Sequence, residues 1–260
     1  PRRLTISLAV AVADGTSNNV AGVFEGSDPR LKSEAVVFTA HYDAFGIAAN
    51  GKIYPGAADN ALGVAEMLAV AGAITGSSEK PRRSVIFIAV TGEEYGLLGS
   101  RYWVEHPAWP LSRIAADVNF DGVGAETYGP VKNVSGFGAE YSDLGKVLRG
   151  VAADTDSEII PDPVPEQRVF YRSDQYSFAS RGVPAVNILG LPSGDSKAWI
   201  GRIFAWVATS YHQPGDVIHG DWNWDGPRTL AVLGLLTGLR VANADEDPNW
   251  LPSAPFKREP

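Results

Sequence analysis

The stretch that most restricts the fold is Ser84-Val85-Ile86-Phe87-Ile88-Ala89-Val90, followed at once by Thr91-Gly92-Glu93-Glu94-Tyr95-Gly96. Mostly β-branched or aromatic residues that end in glycine and charge predict a buried strand stopped by a loop. In open α/β sheets, sites are built just past the carboxyl ends of strands. Successive side chains there point in different directions, so one carboxylate can bind a metal while its neighbour faces a water beside it. The plain alternative is a solvated glutamate pair at a turn, since Glu is rarely buried unpaired.

Other segments repeat the pattern. Ala35–Ala40, Ile114–Phe120 and Pro184–Leu189 read as buried strands, and Val131–Phe137 as a further one. Helices are expected over 61–73, 97–106, 142–153 and 228–241, from apolar residues at helical spacing, while 199–209 mixes aromatic and small residues and is assigned no element. Another is expected to begin near Phe170, with Ser173 or Asp174 as its cap. Residues 4–12 alternate apolar and polar, and Val20–Phe24 follows a turn cluster, so 4–25 is expected to be a hairpin. At 260 residues and 45% hydrophobic, the chain suits one large α/β domain over 1–260. Within it we expect an N-terminal hairpin segment, 1–33, and a loosely held tail, 244–260.

Composition removes several function classes. The net charge of −8 argues against a nucleic-acid partner, which needs a basic face. No stretch approaches 18 uninterrupted apolar residues, so no membrane partner is expected. With no cysteine, any metal must be held by histidine and carboxylate. The chain opens at Pro1 without a leader pattern, which reads as a trimmed or processed piece.

Five side chains stand at loop positions after regular elements: His41, Asp59, Glu94, Asp121 and His212. Two histidines and three carboxylates without thiols suit a pair of zinc ions, with one aspartate shared. Asp43 lies two residues beyond His41 on extended chain, so its carboxylate can reach the imidazole and fix its tautomer. Asp59 or Asn60 could instead cap the following helix; both uses hold if Asn60 is the cap and Asp59 the ligand. Glu93 is then placed to take a proton from metal-activated water and pass it to a leaving amine. His106 and His219 read as surface-loop residues.

The set His41-Tyr42-Asp43, Pro55-Gly56-Ala57-Ala58-Asp59-Asn60, Gly92-Glu93-Glu94, Asn119-Phe120-Asp121-Gly122-Val123-Gly124 and Tyr211-His212-Gln213-Pro214-Gly215-Asp216 resembles the M28 family of zinc peptidases in order and spacing. The resemblance runs from about Glu34 to Asp216. It implies a three-layer α/β/α fold, with a central mixed β-sheet flanked by helices. By the same resemblance His41 and Asp121 hold one zinc, Glu94 and His212 the other, and Asp59 bridges the two. Glu93 matches the general base, and Asp43 the residue that orients the first histidine. Tyr211 and Tyr171 compete for the oxyanion role, with Tyr211 preferred. Tyr171, Arg172 and Asp174 are the candidate substrate-binding residues.

The departures are Leu62 where Ser is common, Gly122 where Met is common, and no cysteine pair around Ser173-Asp174. The expected activity is a dinuclear zinc aminopeptidase acting on peptides, as a monomer or small homo-oligomer, secreted or periplasmic by resemblance. The alternatives are a glutaminyl cyclase, which Tyr211 disfavours where that branch has Trp, a carboxypeptidase, and a non-catalytic receptor-like domain.

Overall fold

The computed structural model describes residues 3–7, 14–122, 124–192 and 196–258. In chain order it contains β1 (Val20–Phe24), β2 (Ala35–His41), β3 (Gly46–Ile47), β4 (Ile53–Tyr54), α1 (Leu62–Gly76), β5 (Ser84–Val90) and α2 (Leu98–Glu105). There follow β6 (Ile114–Asn119), β7 (Val131–Phe137), α3 (Leu144–Asp154), β8 (Glu158–Ile160), α4 (Gln175–Ser180), β9 (Ala185–Pro192), α5 (Ser196–Thr209) and α6 (Asp225–Asn243).

The main sheet has the order β1-β5-β2-β6-β9-β7-β8. Its centre, β5-β2-β6-β9, is parallel, while β1 pairs antiparallel with β5 and β7 antiparallel with β9. The sheet is therefore mixed, as the resemblance implied. The parallel strands need crossovers, which the helices supply. Each sheet face is covered. Phe38, Val118 and Phe120 pack with Met67 and Val70 of α1 and Leu230 and Leu233 of α6. On the other face Val37, Ile86 and Ile88 pack with Trp103 of α2 and Phe178 of α4. Each such buried side chain contributes about 1.5–3 kcal/mol relative to exposure. The Phe38 ring stacks between Phe87 and Phe120, with centroids 5.4 and 6.2 Å away. α6 can lie on those rings because Gly234 and Gly238 face them; a Cβ there would come within 2.3 Å of Phe120 and 2.2 Å of Phe38.

Register sets the site. Thr39 of β2 lies level with Asn119 of β6, and His41 with Val90 of β5. The carboxyl ends of three neighbouring strands thus open onto one rim.

Two expectations are corrected. Val20–Phe24 is a strand, but it pairs with β5; residues 3–7 carry no strand, and Leu4 and Ile6 are exposed. The rest of the expected first strand, 8–12, lies outside the described residues. The tail is not loose over 244–258. Trp250 Nε1 donates to Gly182 O at 2.9 Å, and Arg258 donates to the carbonyls of Ile114 and Ala115. Asp247 lies 3.0 Å from the buried Arg83 guanidinium, which also meets Glu34 at 2.8 Å. A buried cation needs partners, and the tail supplies one. The segment between β2 and α1 holds the small β3–β4 hairpin, which is too short for any periodic signal. Ala57–Gly76 is long and apolar enough to cross a bilayer, but half of it is buried against the rest of the chain.

Candidate metal centre and cleft

Asp59 stands in a wide helical turn, Ala57–Ala61, ahead of α1, with its own backbone outside the helical region. The Asp59–Asn60 peptide bond is cis. Asn60 Oδ1 accepts the Gly63 N–H at 3.1 Å, and its Nδ2 donates to Phe120 O at 2.8 Å. Asn60 therefore does the capping, and Asp59 is left free to face the rim. Gly63 is required here, since a Cβ would sit 2.3 Å from Asn60 Oδ1.

The five candidate ligands converge. His41 Nε2 lies 3.2 Å from Asp59 Oδ1 and 3.5 Å from Asp121 Oδ1. His212 Nε2 lies 3.3 Å from Asp59 Oδ2 and 3.0 Å from Glu94 Oε2. The two oxygens of one carboxylate thus face two different imidazoles. The donors form two triads, His41-Asp59-Asp121 and Asp59-Glu94-His212, that share Asp59. Glu93 comes within 4.0 Å of His41 Nε2.

The electrostatics fit a cation. Burial alone would depress the His41 imidazole, but Asp121, Asp43 and Asp59 hold it well above the usual range. Burial raises the Glu93 carboxyl, assisted by the Asp121 charge, to about 9. Burial, then Asp59, raises Glu94 to about 7. Burial would raise Asp59 too, but His212 and His41 pull it below its ordinary value. Carboxylates outnumber imidazoles at this rim, and His41 Nε2 is buried with no hydrogen-bond partner. Buried polar groups are normally satisfied. An unpaired imidazole nitrogen among carboxylates, with no thiol, is the donor set of a zinc site.

The supports of this rim include residues that sequence reasoning did not single out. The Asp216 carboxylate accepts the N–H groups of Ala58, at 2.8 Å, and Asp59, at 3.0 Å. Its only sequence signal is its place at the end of the His212 block. Asn187 Oδ1 accepts the Asp121 N–H and Asn187 Nδ2 donates to Asp121 O at 2.7 Å. Ser173 Oγ donates to Asp121 Oδ2 at 2.5 Å.

Two expectations change at this level. His41 Nδ1 meets the Asp43 backbone carbonyl at 3.2 Å, while the Asp43 carboxylate is 3.6 Å away. That carboxylate accepts the N–H groups of Glu93, at 3.1 Å, and Glu94, at 3.4 Å. Asp43 therefore ties the Glu93–Glu94 loop to the His41 strand, through both its carbonyl and its carboxylate. Asp174 is fully buried, and burial raises its carboxyl to about 7. It cannot touch substrate, and its side chain does not cap α4.

A cleft of about 530 Å³ opens from Glu93, Glu94 and His212 along Tyr171, Arg172, Tyr176, Arg101 and Tyr211. Tyr211 stacks on His212 at 3.6 Å, and its hydroxyl is raised by burial and by the Asp59 and Asp121 charges. The Tyr171 hydroxyl instead contacts that of Tyr141 at 3.4 Å. His106 is exposed and stacks on Tyr102, and His219 is exposed; neither belongs to the described metal triads.

Comparison with known proteins follows the same lines. The sequence model of Peptidase family M28 matches residues 19–233. A probable leucine aminopeptidase 2 of Aspergillus oryzae is 28% identical over 211 residues, 77% of this chain and 40% of the relative. A vacuolar membrane protease of Candida albicans is 33% identical over 139 residues, 48% of this chain and 15% of the relative. Among solved structures, a zinc aminopeptidase from Bacillus subtilis superposes with a TM-score of 0.61 at 24% identity, over 84% of this chain and 48% of that one. That likeness shows the fold. The chain spans less than half the length of each of these proteins.

Proposed function

Because the chain belongs to peptidase family M28, we propose that it is a zinc-dependent aminopeptidase that holds two ions across the shared carboxylate of Asp59. The observation that carries this reading is the arrangement of Asp59, whose two oxygens face the Nε2 atoms of His41 and His212, at 3.2 and 3.3 Å. The names of the aminopeptidase relatives support the activity. In this reading His41 and Asp121 hold one ion, Glu94 and His212 the other. When bound, zinc polarises the scissile carbonyl and makes water a nucleophile near neutral pH.

The chain's own residues do the rest. Glu93, held on the loop that Asp43 fastens, is the general base and then the acid that protonates the leaving amine. Tyr211, stacked on His212 near the metal carboxylates, is the preferred donor to the developing oxyanion. Tyr171 and Arg172 line the cleft and are the candidate contacts to substrate, and peptides are the substrates. The kinship with vacuolar membrane proteases removes support from the expectation that no membrane is involved.

The test is a panel of aminoacyl chromogenic amides set against N-blocked counterparts, together with zinc analysis of the purified protein. Two zinc equivalents and cleavage of free-amine substrates only are expected. One equivalent, or turnover that requires a blocked amine or a free carboxylate, would overturn the reading.

A further inference from the structure

Behind Asp121 lies a run of buried polar groups that the chemistry above does not use. Gln175 Nε2 donates to the Phe170 carbonyl at 2.9 Å, and a carbonyl can only accept. That contact fixes the Gln175 amide, so its Oε1 must accept. Asn119 Nδ2 supplies a hydrogen to it at 2.9 Å, and the other to Ser173 Oγ, also at 2.9 Å. Turning the Asn119 amide over would set oxygen against oxygen, so its orientation is fixed as well. Ser173, already accepting from Asn119, has its one hydrogen free for Asp121 Oδ2.

At the other end, Asn119 Oδ1 needs a donor. Thr39 Oγ1 stands 2.8 Å from it and 3.0 Å from Asp117 Oδ1. Thr39 has a single hydrogen. If it goes to Asn119, Asp117 must carry its own proton and donate to Thr39. An ionised Asp117 would draw that hydrogen away and leave Asn119 Oδ1 unpaired. Asp117 is fully buried, and burial pushes its carboxyl well above the ordinary value, which agrees with the neutral form. Thr39, Asp117, Asn119, Ser173 and Gln175 are all buried, so water does not compete for these bonds.

We propose that Asp117, Thr39 and Asn119 are positioning residues, a one-way chain of hydrogen-bond donors that acts through Ser173 to turn the Asp121 carboxylate so that Oδ1 faces the metal. This rests on the reading of Asp121 as a zinc ligand. The chain runs Asp117 to Thr39 to Asn119 to Ser173 to Asp121, each group giving one hydrogen to the next. Its effect is to occupy Oδ2 with a donor and leave Oδ1, the oxygen near His41 Nε2, for the ion. Residues that orient metal ligands from behind typically matter about 10–100-fold in metal affinity or activity.

The experiment is zinc affinity of the folded apoprotein, measured by chelator competition well below its melting temperature. Thr39→Val keeps the shape and removes the hydroxyl, and should weaken binding by about tenfold or more. Thr39→Ser keeps the hydroxyl and loses a methyl, and should bind within about threefold of wild type even if it melts earlier. Asp117→Asn keeps a neutral donor at the head of the chain and should also bind like wild type. Should Thr39→Val fail to fold, Asn119→Asp takes its place, since it sets an acceptor against Ser173 and should weaken binding equally. Wild-type affinity in Thr39→Val, or in its Asn119→Asp substitute, overturns the chain. So does a Thr39→Ser protein that binds as weakly as Thr39→Val, because packing would then explain the loss. A wild-type protein that takes up no zinc overturns the metal reading itself, and the chain with it.

Discussion

The two halves of the candidate metal site are built differently around Asp59. His41 is fully buried at the end of a core strand, and its partner Asp121 is gripped by Ser173 and Asn187. His212 has about a third of its side chain exposed, sits in a loop with a left-handed backbone at φ 55°, and borders the cleft. Glu94 is held through its backbone N–H by Asp43. One half is fixed by the sheet and a buried polar network. The other is fixed by loops and stays open to a ligand. Rigidity on one side and access on the other suit a site that must hold a cation and admit a substrate.

The largest effect is expected at Glu93, which lies 4.0 Å from the buried His41 and borders the cleft beside His212. Glu93→Gln is expected to lower kcat by about 10²–10⁴-fold while zinc content stays near wild type. Steady-state kinetics with metal analysis checks this, and a variant that kept full activity would remove Glu93 as the base. Asp216 holds the Asp59 turn that both halves share. Asp216→Ala should weaken zinc binding about 10–100-fold, read by chelator competition.

The histidines sharpen the contrast itself. His212→Ala should lose one of two zinc equivalents with little change in the apoprotein's stability. His41→Ala should lose metal and also cost about 1–3 kcal/mol, because it leaves Asp59 and Asp121 facing each other inside the protein. Equal losses of stability from the two would erase the distinction drawn here; denaturant melts of the apoproteins decide it.

The smallest effect concerns pH. Burial pushes the Glu126 carboxyl up to about 7 from an ordinary 4.5. Its folded-state value is raised, so its stability contribution is complete below about pH 4.5 and is lost as pH rises through 7. Glu126→Gln should flatten that decline and be more stable than wild type at pH 8, by on the order of 3 kcal/mol at most. Apoprotein melts at pH 5, 6.5 and 8 test it, and an unchanged slope would place the dependence on another buried carboxyl.

Much of this was legible before any coordinates. Ser84–Val90 and Val131–Phe137 are strands with the predicted bounds, because an apolar run closed by glycine and charge is a local signal. The convergence of His41, Asp59, Glu94, Asp121 and His212 follows from motif residues at strand and helix ends. The short β3–β4 hairpin left no such trace. The Asp43 carboxylate has a second task that two-residue spacing from His41 does not show, since the Glu93–Glu94 loop brings its N–H groups to the same oxygens.

Patterning along the chain thus determined the α/β class, most of the elements, and the loops that carry the candidate metal ligands. Only tertiary structure decided that β1 joins β5, that the tail locks onto Arg83, that Asp174 is sealed from the cleft, and that Thr39 meets Asn119 across a strand pair. The physical reason is range. Hydrophobic period and turn chemistry act over a few residues, whereas a buried polar group takes whichever partner the register of distant strands brings within about 3 Å.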